Sequence, residues 1–487
     1  MAVDRISGLS KHERLVVAGL CLIAAIRVFI FSAAFPFFNN VDEQYHFDVV
    51  FKYSRGHLPA APLENFDPDA AKIIAANGSG EYFDLPTDHS PRAITGIIAE
   101  LVTSDNVETW MWPAYYMLAG LWCRLGISLG AADARLLYWV RFLNVLLIAA
   151  FVWLSYIFSR RFFRTSPQQQ IVLLILVAFF PQDIFFAITG DVLSPVVFAA
   201  AFLMLLWICL DDKSWRYHLL AGLTVAATFL TKTSNIAILP LAACVILIEI
   251  KRAVSQKRLR HVLFSVGAFA VAAVVPIALW LGRNYVLFGD FSGAAASLHI
   301  RTWTPKPFSE MFNHPIFTPS GLFYFLTELT KTFWRGEFVW RFKRIASPFM
   351  DWFYVISSAV FITVSVFGLV LDKTKTDKPS RLALTACLFV LALSVAFLAV
   401  MSTRYDFGEC FYPSRDHPYF TSGRLIAGAI LPFLVLYIDG LRRILSKLRL
   451  ASCLLVIVAV IAAAETFSEI IITLPVFASP YNWFHLK

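Results

Sequence analysis

Three residues able to move a proton, Asp42, Glu43 and His46, follow the first apolar stretch of the chain. The preceding Asn40 is a good N-cap residue, which predicts a helix that begins at Val41 with both acids in its first turn. Asp42 and His46 are then four residues apart and share one helix face. An ionised carboxylate beside a histidine suits a base that takes a proton from a hydroxyl group. A capped helix whose acids only complement the helix dipole explains the same spacing equally well.

Further polar residues stand at the ends of other apolar stretches. Lys232 lies between two short stretches, and Arg283 with Asn284 directly follows another. These cations could hold an anion, but a snorkelling lysine and an interfacial arginine account for them too. Asp191 begins a further stretch, where a structural role at a helix N-terminus is favoured.

Four charged residues lie inside apolar stretches, namely Arg27, Arg141, Glu465 and Glu469. Charge in a membrane span is costly and normally faces the protein interior. We therefore predict that these residues pair inside the bundle and take no part in catalysis.

The composition shows what must position these side chains. The 487 residues are 58% hydrophobic and 15% charged, whereas soluble domains average about 45–50% apolar and about 25% charged residues. This excludes a soluble enzyme, a disordered chain and a nucleic-acid-binding module, despite the net charge of +9. The seven cysteines are odd in number and contain no C-x-x-C pair, so neither a disulfide framework nor a thiolate metal site is expected. The sequence predicts an all-α polytopic membrane protein.

About 20 apolar residues are needed to cross a bilayer as a helix, and the chain provides eleven candidate spans. One pair is a hairpin of two short helices that turns at 231–234, because both of its flanks are basic. The segment 112–130 is treated as a juxtamembrane helix in the first outer loop, because a crossing there would place Arg160 and Arg161 outside. The predicted spans are about 14–35, 136–158, 168–187, 190–210, two within 217–250, 261–282, 352–372, 381–401, 424–441 and 450–473.

Lysine and arginine set the orientation of these spans. They are denser in the short segments that this layout assigns to the cytoplasm, which is the usual bias of membrane proteins. The N-terminus is then cytoplasmic and the C-terminus lies outside. Residues 1–487 form a single membrane domain with three outer loops, at 36–135, 283–351 and 402–423. We expect the chemistry in these loops.

Seven segments, taken in order, resemble motifs of the GT-C glycosyltransferases over roughly residues 14–445. The nearest branch is a group of bacterial predicted membrane proteins related to the protein O-mannosyltransferases and the lipid A aminoarabinose transferase. The matching segments are Asp42-Glu43-x-x-His46, Trp112-Pro113-Ala114-Tyr115-Tyr116, Pro181-Gln182 followed by Asp191, Thr231-Lys232, Trp280-x-x-Arg283-Asn284-x-x-x-Phe288-Gly289-Asp290, Phe333-Trp334 and Gly423-Arg424.

The resemblance implies a GT-C-like bundle in the bacterial inner membrane, with membrane lipid around it and no nucleic-acid partner. It also implies that a sugar passes from a polyprenyl-phosphate donor to a hydroxyl of a glycan, lipid or protein acceptor, with inversion in a single displacement. Asp42 would be the base, and Glu43 and His46 would orient it or the acceptor. The implied substrate-binding residues are Asp191, Lys232, Arg283, Asn284, Arg424, Tyr115 and Tyr116.

Within that set, Lys232, Arg283 and Arg424 would form a clamp on the departing phosphate, since arginine can grip phosphate oxygens in two places. A divalent metal could replace part of the clamp, and the sequence leaves both open. A transporter or flippase for a lipid-linked sugar is the alternative, although the polar residues cluster on one face rather than at the membrane midplane. A glycan-binding scaffold without catalysis is a third interpretation.

Overall fold

The computed structural model describes residues 11–38, 42–84, 87–164, 166–371, 377–410 and 412–485, and this part of the chain is mostly helical. The all-α prediction is confirmed. The α-helices are Lys11–Ala34, Glu43–Ser54, Pro68–Asn77, Pro91–Thr103, Pro113–Ser128, Asp133–Arg141, Leu143–Phe162, Pro167–Phe179, Ser194–Leu210, Trp215–Phe229, Ile238–Ser255, Leu259–Phe288, Ala295–Ile300, Phe308–Met311, Pro319–Arg335, Pro348–Leu371, Lys378–Arg404, Ile430–Lys447 and Leu454–Phe477.

Nine helical segments in the described residues are long and apolar enough to cross a membrane. They are His12–Ala34, Asp133–Phe162, Gly190–Leu210, Thr233–Ser255, Val262–Phe288, Pro348–Leu371, Lys378–Arg404, Gly423–Lys447 and Ala451–Phe477. The other two predicted spans are shorter helices, Pro167–Phe179 of 13 residues and Trp215–Phe229 of 15. The first ends early because Pro181 follows, and a helix rarely continues to the residue before a proline.

The predicted hairpin at 231–234 is present. Helix Trp215–Phe229 ends there, and a 3₁₀ turn at Thr233–Ala237 leads into Ile238–Ser255. The amide nitrogen of Asn235 donates to the backbone oxygen of Thr228 and to Oγ of Ser194, at 3.0 Å each, which fixes the tip against the neighbouring span.

The three segments predicted as outer loops contact one another. Antiparallel two-residue strands pair Thr304–Pro305 with Tyr405–Asp406, which joins the second segment to the third. Arg301 reaches back to Glu108 at 2.7 Å, which joins the second segment to the first. The other two-residue ladders lie within the first and second segments, Glu64–Asn65 with Asp105–Asn106 and Val339–Trp340 with Lys343–Arg344. Residues far apart in sequence are thereby gathered at one end of the bundle.

The prediction that charged residues of the spans pair inside the protein is confirmed for Arg27, Arg141 and Glu469. It is wrong for Glu465, whose carboxylate oxygens have no hydrogen-bond partner among the described residues. Arg27 donates to both carboxylate oxygens of Glu469, at 2.7 and 2.6 Å. Arg141 pairs with Glu43 at 2.7 Å, with both side chains 1% exposed. Each arginine is satisfied by a carboxylate from a distant segment, so the pairs tie the bundle together.

Candidate functional site

Asp42 and Glu43 are neighbours in sequence but have different environments. Asn40 and Val41 lie outside the described residues, so the expected cap at Asn40 is not observed. The helix begins at Glu43, and Asp42 is its N-cap residue, with φ 69° in the left-handed region. The prediction that Asp42 lies in the first turn is therefore wrong by one residue. Aspartate tolerates this backbone conformation better than most residues.

The Asp42 side chain does not cap its helix. It accepts no capping hydrogen bond from the helix N-terminus, and its side chain is 28% exposed. Its ion pair in the described part of the chain is a long one, 3.6 Å to Nη2 of Arg424. A partly hydrated carboxylate with a loose partner remains available to accept a proton.

Glu43, in contrast, is enclosed. Its oxygens accept from Arg141 at 2.7, 2.8 and 3.0 Å, from the backbone nitrogen of Ile188 at 2.9 Å and from that of Phe38 at 3.0 Å. All of these donors fix the position of the helix that starts with Glu43. The geometry therefore gives Glu43 a positioning role beside Asp42, not direct access to a substrate.

Asp191 and Lys232 form an ion pair across two span ends. Asp191 is 3% exposed and lies in the first turn of Gly190–Leu210, while Lys232 precedes the 3₁₀ turn that opens Thr233–Ser255. The Lys232 side chain is 17% exposed. The prediction that Lys232 faces the same region as Asp42 and Asp191 is consistent with this pairing.

Arg424 connects these groups. Its guanidinium lies 3.6 Å from Asp42, 4.0 Å from Asp191 and 3.8 Å from Glu337. These distances are long for guanidinium–carboxylate contacts, which are near 2.8 Å when well formed. Its buried Nε has no hydrogen-bond partner among the described residues. We call Asp42, Asp191, Lys232, Glu337 and Arg424 the central charge cluster.

The backbone beside Arg424 leaves no room for a side chain. A Cβ on Gly423 would lie 2.1 Å from the backbone nitrogen of Phe333, and the Gly423 nitrogen donates to Oγ1 of Thr332 at 3.0 Å. This close approach brings the start of a span against the end of helix Pro319–Arg335. It places Arg424 next to Glu337.

Glu337 and Asp183 are members of the site that sequence reasoning missed. Asp183 accepts a 2.7 Å hydrogen bond from the backbone nitrogen of Glu337, and Gly336 fits over Asp183 only because it has no Cβ. Burial raises the pKa of Asp183 to about 7. The one sequence signal that could have indicated Glu337 is the pair Gly336-Glu337, which lies just after the Phe333-Trp334 motif.

His46 lies next to the cluster but does not pair with Asp42. Its Nδ1 is 2.7 Å from the hydroxyl of Tyr116. Burial lowers the pKa of His46 to about 4, so the ring is neutral near pH 7. Tyr115 and Tyr116 are buried and pack edge to face. The backbone nitrogen of Ala114 donates to Leu230 of the hairpin at 3.0 Å, which holds the tyrosine helix near Lys232.

Arg283 and Asn284 stand outside the cluster. The helix that was expected to end near 282 runs on to Phe288, so Arg283 is inside its last turns, with its guanidinium 4.7 Å from the Trp280 ring centre. Arg283 donates to the backbone oxygen of Pro59 and, at 3.1 Å, to Oδ1 of Asn284. The expectation of one clamp containing Lys232, Arg283 and Arg424 is therefore corrected: only Lys232 and Arg424 meet at the cluster.

A third acidic residue that was not anticipated, Glu108, lies near the cluster. It is 2% exposed, one oxygen pairs with Arg301 at 2.7 Å, and the other has no partner in the described residues. Burial raises the pKa of Glu108 to about 7. Its link to Arg301 joins two distant loop segments, which the local sequence does not reveal.

The donor set does not match a metal centre. Within the ranges that the structure describes, no group of three or more His, Cys, Asp or Glu side chains could hold a metal ion. Two carboxylates of the cluster, Asp42 and Asp191, instead face the cations Arg424 and Lys232. The cluster can exchange these internal ion pairs for contacts with an incoming anion.

No protein-family model and no curated protein matches the chain. The structure is similar to the oligosaccharyltransferase of Archaeoglobus fulgidus in complex with Zn and sulfate, with TM-score 0.44 and 12% identity. That match covers 93% of this chain, and the chain spans about half (53%) of the oligosaccharyltransferase. It is also similar to ArnT from Cupriavidus metallidurans bound to undecaprenyl phosphate, with TM-score 0.33, 15% identity and coverage of 88% and 78% of the two chains. With both TM-scores below 0.5, the functional conclusion depends on the central charge cluster.

Proposed function

We propose that this chain is a membrane glycosyltransferase that moves a sugar from a polyprenyl-phosphate donor to an acceptor hydroxyl. The observation that carries the proposal is the position of Arg424, which is shared loosely among three carboxylates and lies beside Lys232 and Asp42. A base and two cations in one partly exposed cluster are the groups that such a transfer requires.

In the proposed reaction, Asp42 accepts the proton of the acceptor hydroxyl as the oxygen attacks the anomeric carbon. The bond from that carbon to the phosphate oxygen breaks in the same displacement, which inverts the anomeric centre. The electron pair of that bond leaves with the polyprenyl phosphate. Lys232 and Arg424 stabilise the negative charge that develops there, because preorganised cations stabilise charge best where water is excluded.

The internal ion pairs have a role before the donor arrives. Asp191 holds Lys232, and the three carboxylates hold Arg424, so neither cation is left uncompensated in a buried setting. A phosphate can take over Arg424, since charge-assisted hydrogen bonds to phosphate are shorter and stronger than its 3.6–4.0 Å contacts. Lys232 can contact the phosphate while it stays paired with Asp191, because its ammonium group has three N–H donors.

The membrane placement belongs to the same proposal. Positive-inside bias would put the N-terminus in the cytoplasm, the C-terminus outside and the cluster at the outer face of the bacterial inner membrane. A polyprenyl carrier would then keep its tail in lipid while its phosphate reaches the span ends that carry Lys232 and Arg424. The acceptor is a hydroxyl on a glycan, lipid or protein.

The test is a release assay with purified protein in lipid nanodiscs. The protein is incubated with undecaprenyl-phosphate sugars of different identity, with and without candidate acceptors, and free undecaprenyl phosphate is measured. Acceptor-dependent release with at least one donor is expected, and parallel incubations with a chelator or added divalent cations report any metal requirement. Movement of intact donor across a proteoliposome membrane without release would instead indicate the flippase alternative.

A further inference from the structure

A polar cavity, separate from the central charge cluster, lies between helices Pro348–Leu371 and Leu454–Phe477. Its volume is about 30 Å³, which is room for two or three water molecules at roughly 10–15 Å³ each. Its charged and polar lining consists of Arg335, Ser347, Asp351, Tyr354, Glu465, Ser468, Glu469 and Thr473.

The charges around this cavity do not balance if every acid is ionised. Arg27 forms an ion pair with Glu469 at 2.6 Å, and Arg335 donates to the two oxygens of Asp351 at 2.6 and 3.0 Å. Glu465 is 0% exposed, and neither of its carboxylate oxygens has a hydrogen-bond partner among the described residues. With all three acids ionised, the groups around the cavity would carry three negative charges and two positive charges.

An ionised carboxylate without a partner is very costly in such a place, so it takes up a proton or a cation. A hard metal cation prefers six or more oxygen ligands, several of them usually carboxylates. Only Glu465 among the three acids has free oxygens, and the described residues contain no acidic, histidine or cysteine group suited to a metal. This arrangement favours a proton on Glu465 over a bound metal cation.

We propose that Glu465 is a proton-binding site, a neutral carboxylic acid whose hydroxyl hydrogen bonds to water in the cavity. The groups that face it come from several elements. They are Arg27 of the first helix, Arg335 at the end of Pro319–Arg335, Asp351 and Tyr354 of the following span, Tyr437 of Ile430–Lys447, and Glu469 on its own helix.

Loss of this proton would act beyond the cavity. The new carboxylate would compete with Glu469 for Arg27 and with Asp351 for Arg335. Arg335 is two residues before Glu337, whose carboxylate is 3.8 Å from Arg424. Segment 335–337 therefore connects the proton site to the central charge cluster.

The test measures the thermal and denaturant stability of the full-length protein over a pH series, for wild type and for Glu465→Gln. An unfolded glutamate releases its proton near pH 4.3, whereas the folded protein keeps it, so wild type loses stability as the pH rises. The unfolding equilibrium constant should increase about tenfold more per pH unit in wild type than in Glu465→Gln. The two proteins should be equally stable only at and below about pH 4, where the glutamate is protonated in both the folded and the unfolded state.

Glu469→Gln is the matched control, since it removes a carboxylate that is already paired and should destabilise the protein at every pH. Infrared difference spectra supply a second measurement, a neutral carboxylic acid band in wild type that Glu465→Gln lacks. If Glu465→Gln does not fold, Glu465→Leu replaces it in both measurements.

Equal pH dependence in wild type and variant, together with an absent acid band, would overturn the proposal. So would stabilisation of wild type, but not of Glu465→Gln, by sodium at constant ionic strength, because a metal cation would then occupy the cavity. These measurements do not depend on the proposed glycosyl transfer, so one proposal can fail without the other.

Discussion

Asp42 and Glu43 are adjacent acids of the same loop, but their carboxylates have different environments. Glu43 is 1% exposed and accepts hydrogen bonds from Arg141 and from two backbone nitrogens. Asp42 is 28% exposed, and its guanidinium partner is 3.6 Å away. The left-handed backbone at Asp42 separates them, since it turns one carboxylate inward and the other toward the central charge cluster.

The same contrast holds for the surrounding charges. Arg27 and Arg141 make close ion pairs of 2.6 and 2.7 Å inside the bundle. Arg424 makes three contacts of 3.6–4.0 Å, and its Nε has no hydrogen-bond partner among the described residues. Close, saturated pairs stabilise the fold, whereas loosely shared charges are able to change partners. The difference distinguishes Arg424 from other arginines that are equally prominent in the sequence.

The largest effect, on protein stability, is expected from breaking the buried ion pair between Glu43 and Arg141. Glu43→Gln leaves Arg141 buried without a counter-charge, which should destabilise the protein by about 3–5 kcal/mol. Folded yield and the unfolding midpoint measure this loss. The double variant Glu43→Leu with Arg141→Met should recover much of it, because a buried pair can be replaced by apolar side chains. A stable Glu43→Gln protein that has lost only activity would contradict the distinction.

A smaller effect is expected from the two cations of the central charge cluster. Lys232→Ala and Arg424→Ala should each lower kcat/KM for the donor by about 10- to 100-fold, the value of one charged hydrogen bond of about 1.5–3 kcal/mol. Arg424→Lys should recover little activity, since lysine lacks the two-pronged geometry. Arg283→Ala is the control: Arg283 binds the Pro59 carbonyl outside the cluster, so its kinetics per folded molecule should stay near wild type. A larger loss in Arg283→Ala than in Arg424→Ala would reverse the assignment.

The lengths of the apolar stretches and the positions of the basic residues predicted the helical bundle and the hairpin that carries Lys232. These features can be seen in short segments of the sequence. They also predicted that Arg27 and Arg141 pair internally. Local patterns could not show that Glu43 is the partner of Arg141, 98 residues away. Glu337 and Asp183 were missed for the same reason, since their contact spans 154 residues and depends on the left-handed Gly336. Arg283 was misplaced because its helix is six residues longer than expected.

The most direct test of the central claim is the turnover of Asp42→Asn, measured per folded molecule at saturating donor. Asparagine keeps both the size of aspartate and its tolerance of a positive φ, so the helix start and the unfolding midpoint should be preserved. If Asp42 is the base, kcat should fall by at least about a hundredfold, while donor binding remains near wild type. Turnover close to wild type in a folded Asp42→Asn protein would contradict the account and reduce Asp42 to a helix cap.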